Sequence, residues 1–230
     1  METPQMTMVP VPGSHIRTGK FIVLEGGEGA GKTTQIGHLL SFLRGLGIHV
    51  VSTREPGGTP IAEELRRLMV SGREDKISPF TEAMLMYAAR NDHIEKVIAP
   101  ALANGAWVVC DRFEMSTYAY QEAVGRRELQ QLSSMVVDRQ NVKPDLTLLL
   151  DIDPAIGLMR AYRREEDRSR FEDKAMEFHQ KVRESFLKNV HEVEGCYTVY
   201  VGNRTEMQVW DIIQHHLEIE FGITTSQDQE

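Results

Sequence analysis

Short apolar runs alternate with longer amphipathic stretches along most of the chain. Phe21-Ile22-Val23-Leu24 is a continuous apolar run, the pattern of a strand buried on both faces. The spacing after it predicts a helix over about 32–45, closed by Gly45 and Gly47. A second strand is expected over 48–53, then a loop in which Thr59 is placed to cap, and Pro60 to begin, a helix running to about 71. A polar connection over 72–79 leads to a long helix over about 80–104, with a kink expected near Pro100. Further strands are expected at 107–110, within 145–151 and at 197–201. Helices are expected over about 115–140, after Pro154, over about 171–192 and over 205–219. This alternation predicts an α/β fold of three layers: a five-stranded, mostly parallel sheet flanked by helices. Ligands of such sheets lie beyond the carboxyl ends of the strands, so the residues there are the first candidates for chemistry.

The residues after the first strand are Gly26, Gly27, Glu28, Gly29, Ala30, Gly31, Lys32 and Thr33, a full match to G-x-x-x-x-G-K-[ST], followed by Thr34. Strand, glycine loop and helix in that order form a phosphate-binding loop. The glycines let backbone N–H groups turn inward around oxyanions, and the helix N-terminus adds positive potential. Lys32 supplies a point charge for the β- and γ-phosphates, and the Thr33 hydroxyl can ligate Mg²⁺. The expected fold is therefore that of the P-loop NTPases, and the expected ligand a nucleoside triphosphate.

Composition narrows this further. A net charge of −8 argues against a nucleic acid polymer as partner, since such binding depends on basic surface. No apolar run approaches the length that crosses a bilayer, so no membrane partner is expected. Cys110 and Cys196 are expected to be free thiols in a reducing cytoplasm, because residues 1–20 hold no apolar signal segment. The expected organisation is a flexible extension over 1–19, one P-loop domain over 20–221 with a lid at about 160–172, and a disordered tail over 222–230.

Three more clusters lie at strand ends or in the expected lid. Arg54 follows the second strand, where a planar guanidinium suits bidentate phosphate recognition; a surface ion pair is the plainer alternative. Asp111 and Arg112 follow the third strand. An acid there is placed to position Mg²⁺, and a second arginine implies a second phosphorylated ligand besides the one served by Lys32. Glu28, inside the phosphate loop, must turn away from the triphosphate towards a hydroxyl or a metal, unless it is a solvated loop acid. The run holding Arg160, Arg163, Arg164, Arg168 and Arg170 reads as a lid that brings a guanidinium onto developing charge and excludes water; a solvated helix face is the alternative.

Together these stretches resemble thymidylate kinase of the bacterial type. The resemblance is carried by Glu25 to Thr34, Thr53-Arg54-Glu55-Pro56-Gly57-Gly58-Thr59, Tyr87-Ala88-Ala89-Arg90, Asp111-Arg112, Ser116-Thr117-Tyr118-Ala119-Tyr120-Gln121 and Pro144-Asp145-Leu146-Thr147. It implies transfer of the ATP γ-phosphoryl group to dTMP with Mg²⁺, in a homodimer. It assigns Arg54 and Arg112 to the dTMP phosphate and Glu28 to the 3′-hydroxyl side of the sugar. Arg90 falls to the thymine carbonyl, Thr117 and Gln121 to the base edge, and Ser116 to the substrate side. Tyr120 would lie under the sugar and Arg160 by the adenine. Arg163, Arg164 and Arg168 supply the lid arginine, with Lys32 and Arg112 also catalytic. Two positions depart from the family pattern. Met86 stands where an aromatic commonly covers thymine, on the same helix face as Arg90 by i,i+4 spacing, with Tyr87 beside it. Phe113 stands where a polar ring commonly follows Asp-Arg. Rival readings are a kinase for another nucleoside monophosphate or a deoxynucleoside, a nucleotide-dependent switch, and an ATPase module of a larger assembly. The switch is disfavoured because Asn141-Val142-Lys143-Pro144-Asp145 has the wrong spacing for a guanine-reading motif.

Overall fold

The computed structural model describes residues 19–70, 77–163 and 174–223. Five strands form one sheet: β1 (Phe21–Glu25), β2 (Val50–Arg54), β3 (Trp107–Asp111), β4 (Leu146–Asp151) and β5 (Cys196–Tyr200). Their order is β2-β3-β1-β4-β5, and every pairing is parallel, so the sheet is fully rather than mostly parallel. β1 is buried along its whole length. Its side chains alternate between two cores, Ile22 and Leu24 on one face and Phe21 and Val23 on the other.

The helices are α1 (Lys32–Gly45), α2 (Pro60–Val70), α3 (Pro79–His93), α4 (Ala99–Ala103), α5 (Glu114–Tyr120), α6 (Arg126–Ser133), α7 (Pro154–Tyr162), α8 (Met176–Asn189) and α9 (Glu206–Phe221). α1 and α9 cover one face of the sheet, where Trp210, Ile213 and Leu217 meet Leu39 and Leu43; α3 and α4 cover the other through Ala83, Tyr87 and Leu102. Among the described residues no helix is long and apolar enough to cross a membrane. Thr59 and Pro60 start α2 as expected, with the Thr59 hydroxyl accepting from the Ala62 N–H at 3.1 Å.

Several elements differ from expectation in their bounds. β2 begins at Val50 rather than at 48, because the Ile48 N–H closes the end of α1 by donating to the Leu43 carbonyl at 3.0 Å. The expected single helix over 80–104 is interrupted by a π-helical turn, Ile94–Ile98, just before Pro100. A wider turn there accommodates a residue that has no N–H to donate. The helices expected over 115–140 are α5 and α6, separated at Gly125, whose φ of +101° no helix can adopt. α8 begins at Met176 rather than at 171. Most of the expected lid, all of the tail beyond 223 and nearly all of the N-terminal extension lie outside the described residues.

In this strand order the chain leaves β1 for β2, returns to β3 between them, then crosses β1 to reach β4. The connections leaving β1 and β3 therefore diverge, opening a crevice at their carboxyl ends. Register brings Arg54, Asp111 and Leu24 level with one another at its floor.

Candidate active site

The phosphate loop runs from the end of β1 into α1. Gly26, Gly29 and Gly31 hold φ of +138°, +66° and +90°. Two of them also lack space: a Cβ on Gly26 would stand 2.4 Å from the Leu150 carbonyl oxygen, and one on Gly29 1.9 Å from that of Gly157. β4 and α7 thus press on the loop from behind. Lys32 folds back and donates to the Gly26 and Gly27 carbonyls at 2.9 and 3.0 Å. Burial pushes its pKa down to about 8, and the nearby Arg112 adds to the effect. An anion in the cleft would favour its charged form. Thr33 and Thr34 are exposed in the first turn of α1, with Thr33 on the wall of the cleft.

Across the crevice stands Arg112. Its backbone adopts φ +67°, uncommon for a residue with a side chain. The guanidinium donates to the Gly26 carbonyl at 2.8 Å, to Ser116 Oγ at 3.2 Å and to Glu28 at 3.2 Å, and lies over the Tyr120 ring at 5.1 Å. Glu28 also accepts from the Tyr120 hydroxyl at 2.8 Å, having turned away from the loop amides. Burial works to raise the Glu28 carboxyl pKa, but Arg112, then Lys32 and Tyr120, hold it below its ordinary value.

Glu25 sets the turn at Arg112. This fully buried acid accepts from the Phe113 and Ser116 N–H groups at 2.8 and 3.1 Å and from Ser116 Oγ at 2.5 Å. Those N–H groups are free donors at the start of α5, so a residue of β1 caps a helix that begins 89 positions later. Burial raises its carboxyl pKa against these hydrogen bonds.

A second pocket opens beside Arg112, with Glu55, Glu82, Met86, Phe113 and Gln121 among its walls. Arg90 is buried next to it. Its Nε donates to Glu55 at 2.7 Å, and its Nη2 donates to the Phe113 carbonyl at 2.9 Å and to Thr117 Oγ1 at 3.0 Å. The rings of Tyr87 and Phe113 each lie 4.9 Å from its guanidinium carbon. Thr117 is therefore placed behind Arg90, and Tyr87 is packed in the core against it; neither is on the pocket wall. Two buried polar atoms at this pocket have no partner, Arg90 Nη1 and Gln121 Oε1, and a third, Asp111 Oδ1, belongs to a residue of the phosphate-loop cleft. Unmatched buried polar atoms are rare, and in a cleft they mark where a ligand completes the bonding.

The phosphate-loop cleft and the second pocket share Glu28, Arg66 and Arg112. Arg66, on α2, donates to the Pro56 carbonyl at 3.1 Å. Burial and then Arg54 push its pKa down, an arrangement that an anion between these arginines relieves. Arg54 lies on the cleft wall, half exposed, and is paired with Glu63 at 3.0 Å. Arg163 is also on that wall. Arg160 is half-buried on α7 and donates to the Gly202 carbonyl at 3.4 Å, while Arg164 and Arg168 lie outside the described residues.

Sequence reasoning missed Arg66, Glu82, His93 and Gly157, and it included Glu25 and Glu55 in matching stretches without giving either a role. Glu55 is shared by Arg90 and by His93, whose Nδ1 lies 2.9 Å away; His93 Nε2 is in turn 2.6 Å from Thr53 Oγ1. Glu25 did leave a trace, as an acid directly after four apolar strand residues. Arg66 and Gly157 left none, because their importance comes from what packs against them.

With this geometry in view, the thymidylate kinase family model matches residues 24–212. A thymidylate kinase of Magnetococcus marinus is 52% identical over 174 residues, covering 74% of this chain and 81% of that one. One of Teredinibacter turnerae is 41% identical over 202 residues, covering 87% and 98%. The crystal structure of thymidylate kinase from Ehrlichia chaffeensis superimposes with a TM-score of 0.65 at 30% identity, covering 85% of this chain and 99% of that one.

Proposed function

We propose a division of labour among these residues from one premise: the chain belongs to the thymidylate kinase family. It is a kinase that phosphorylates dTMP to dTDP with ATP, and the readings as a switch or an ATPase module are not favoured. One observation supports the assignment of roles above all. A donor cleft built on the phosphate loop meets an acceptor pocket at Glu28, Arg66 and Arg112, so two phosphorylated ligands converge on shared cations.

In this reading the loop amides and Lys32 hold the β- and γ-phosphates of ATP, and Lys32 leaves the Gly26 and Gly27 carbonyls to do so. Arg112, Arg54 and Arg66 hold the dTMP phosphate. A phosphate oxygen is already a competent nucleophile, so no general base is needed, and the protein's work is alignment and charge neutralisation. Tyr120 and Glu28 flank the sugar; Met86 covers the base, which Arg90 and Gln121 read. Arg163, on the wall of the cleft, is the candidate lid arginine, with Arg164 and Arg168 as the further candidates. Arg160 serves the adenine. Thr33 and Asp111 would hold Mg²⁺, and the unmatched Asp111 Oδ1 fits a hard, oxygen-seeking cation. When bound, Mg²⁺ supplies positive charge to the phosphate oxygens.

The chain acts as a cytoplasmic homodimer in this reading. Exposed Phe80 and Met84 on α3 and Met135 just beyond α6, a helix packed on α3, support an apolar interface. Sedimentation at micromolar concentration tests it, and a monomer would end that part.

The deciding experiment is coupled ADP release with ATP, Mg²⁺ and a panel of dTMP, dUMP, dCMP, dGMP, AMP and thymidine. Strong preference for dTMP is expected. Equal or greater turnover with another acceptor would overturn the base-reading roles of Arg90, Met86 and Gln121.

A further inference from the structure

Glu82 and Gln121 are both nearly fully buried in the wall of the acceptor pocket, and Gln121 Nε2 donates to Glu82 Oε1 at 2.8 Å. A carboxylate accepts hydrogen bonds and offers none, so the amide can meet it only through its NH₂. Gln121 Oε1 is thereby left pointing away from Glu82, buried and without a partner. Arg90 Nη1, beside the Glu55 and Phe113 walls, is a buried donor without a partner. An unmatched acceptor thus sits in the pocket wall, and an unmatched donor is buried directly behind the Glu55 and Phe113 walls. Glu82, Met86 and Arg90 follow one another at four-residue steps on α3, so a single helix face carries the acid, the apolar cover and the donor.

We propose that Glu82 is a specificity-determining positioning residue, which locks the Gln121 amide with its oxygen towards the base and so sets the pocket for an imide edge and against an amidine edge. The inference rests on the reading of this pocket as the base site. Thymine and uracil present an N–H at N3 beside a carbonyl, the complement of Gln121 Oε1 and Arg90 Nη1. Cytosine presents a lone pair at N3 beside an amino group, the reverse at both points. For cytosine to bind, either Gln121 Oε1 faces the N3 lone pair, or the amide flips and turns Oε1 onto the Glu82 carboxylate. Both are repulsive, and a buried mismatch of this kind is costly. Discrimination then comes from an acid that need not touch the substrate.

The test compares kcat/KM for dTMP, dUMP and dCMP in the full chain. Glu82→Gln keeps shape but can donate or accept, so either amide orientation becomes available. The dTMP:dCMP ratio is expected to fall about tenfold or more, while dTMP:dUMP stays unchanged, since both bases share the imide edge. Glu82→Ala should lower the same ratio by freeing the amide, and Glu82→Asp, still an acceptor only, should keep it. In a Gln121→Met background, Glu82→Gln should leave the ratio unchanged. A dTMP:dCMP ratio preserved in both Glu82→Gln and Glu82→Ala, including an equal loss for all three substrates, would overturn the proposal while leaving the enzyme a thymidylate kinase. A wild-type enzyme with no preference for dTMP over dCMP would overturn it together with the reading of the pocket.

Discussion

Glu55→Ala is expected to cost more stability than its place in a loop suggests. Its carboxylate, 2% exposed, accepts from Arg90 Nε at 2.7 Å and faces His93 Nδ1 at 2.9 Å, and both partner side chains are 0% exposed. Truncation leaves a guanidinium in the core without its counter-charge and a ring nitrogen without its partner. Removing one member of a buried ion pair costs about 3–5 kcal/mol. Arg90 keeps its bonds to the Phe113 carbonyl and Thr117, which places the expected loss at the lower end, about 3 kcal/mol. That is a large share of the 5–15 kcal/mol typical of a domain. Urea unfolding followed by far-UV circular dichroism measures it for wild type, Glu55→Ala, Glu55→Gln and the double variant Glu55→Ala/Arg90→Met. Glu55→Gln should lose less, because its amide oxygen still accepts. The double variant should recover part of the loss, since the stranded charge is gone. A Glu55→Ala protein within about 1 kcal/mol of wild type, the size of an ordinary substitution, would refute the account of Glu55 as the anchor of Arg90.

Other outcomes follow from the same geometry. Between pH 8 and 10.5 the folded protein holds Lys32 neutral while the unfolded chain still holds its proton, so ligand-free stability should rise with pH across that window. ATP, which favours the charged form, should take up protons on binding near pH 8.5, read by calorimetry in buffers of different ionisation enthalpy; no uptake would contradict the assignment. Gly157→Ala places a Cβ 2.3 Å from the Glu28 carbonyl oxygen and should weaken ATP binding about tenfold, whereas Gly27→Ala, with open space around it, should be sterically tolerated; equal ATP dissociation constants for the two variants would count against a loop pressed by α7. Arg66→Ala should raise the KM for dTMP about tenfold with the KM for ATP little changed, and a change confined to ATP would place Arg66 on the donor side. Asp111→Asn should shift the Mg²⁺ titration of activity to higher concentration, and an unmoved midpoint would remove Asp111 from the metal site.

Much of the framework could be read locally. The strand–loop–helix of Phe21 to Thr33 announces itself because phosphate binding uses contiguous backbone amides. The Thr59-Pro60 helix start is likewise a property of neighbouring residues. Met86 and Arg90 could be placed on one face from spacing alone; Met86 lines the second pocket, and Arg90 is buried behind its Phe113 wall. Thr117 shows the limit. The resemblance assigned it to the base edge, but its place behind Arg90 depends on how α5 meets α3, which no local pattern encodes.

Fold class, phosphate loop and family were all legible along the chain, because they rest on residues close together in it or on their order. Which distant groups meet became visible only in the folded chain. It joined Glu25 to Ser116, Glu28 to Tyr120, Glu55 to Arg90 and Glu82 to Gln121, pairs separated by 35 to 92 positions. The physical reason is the sheet order. With β3 inserted between β1 and β2, the ends of three strands and the starts of the helices after them converge on one crevice. Burial there leaves each polar group only the partners that packing brings within reach.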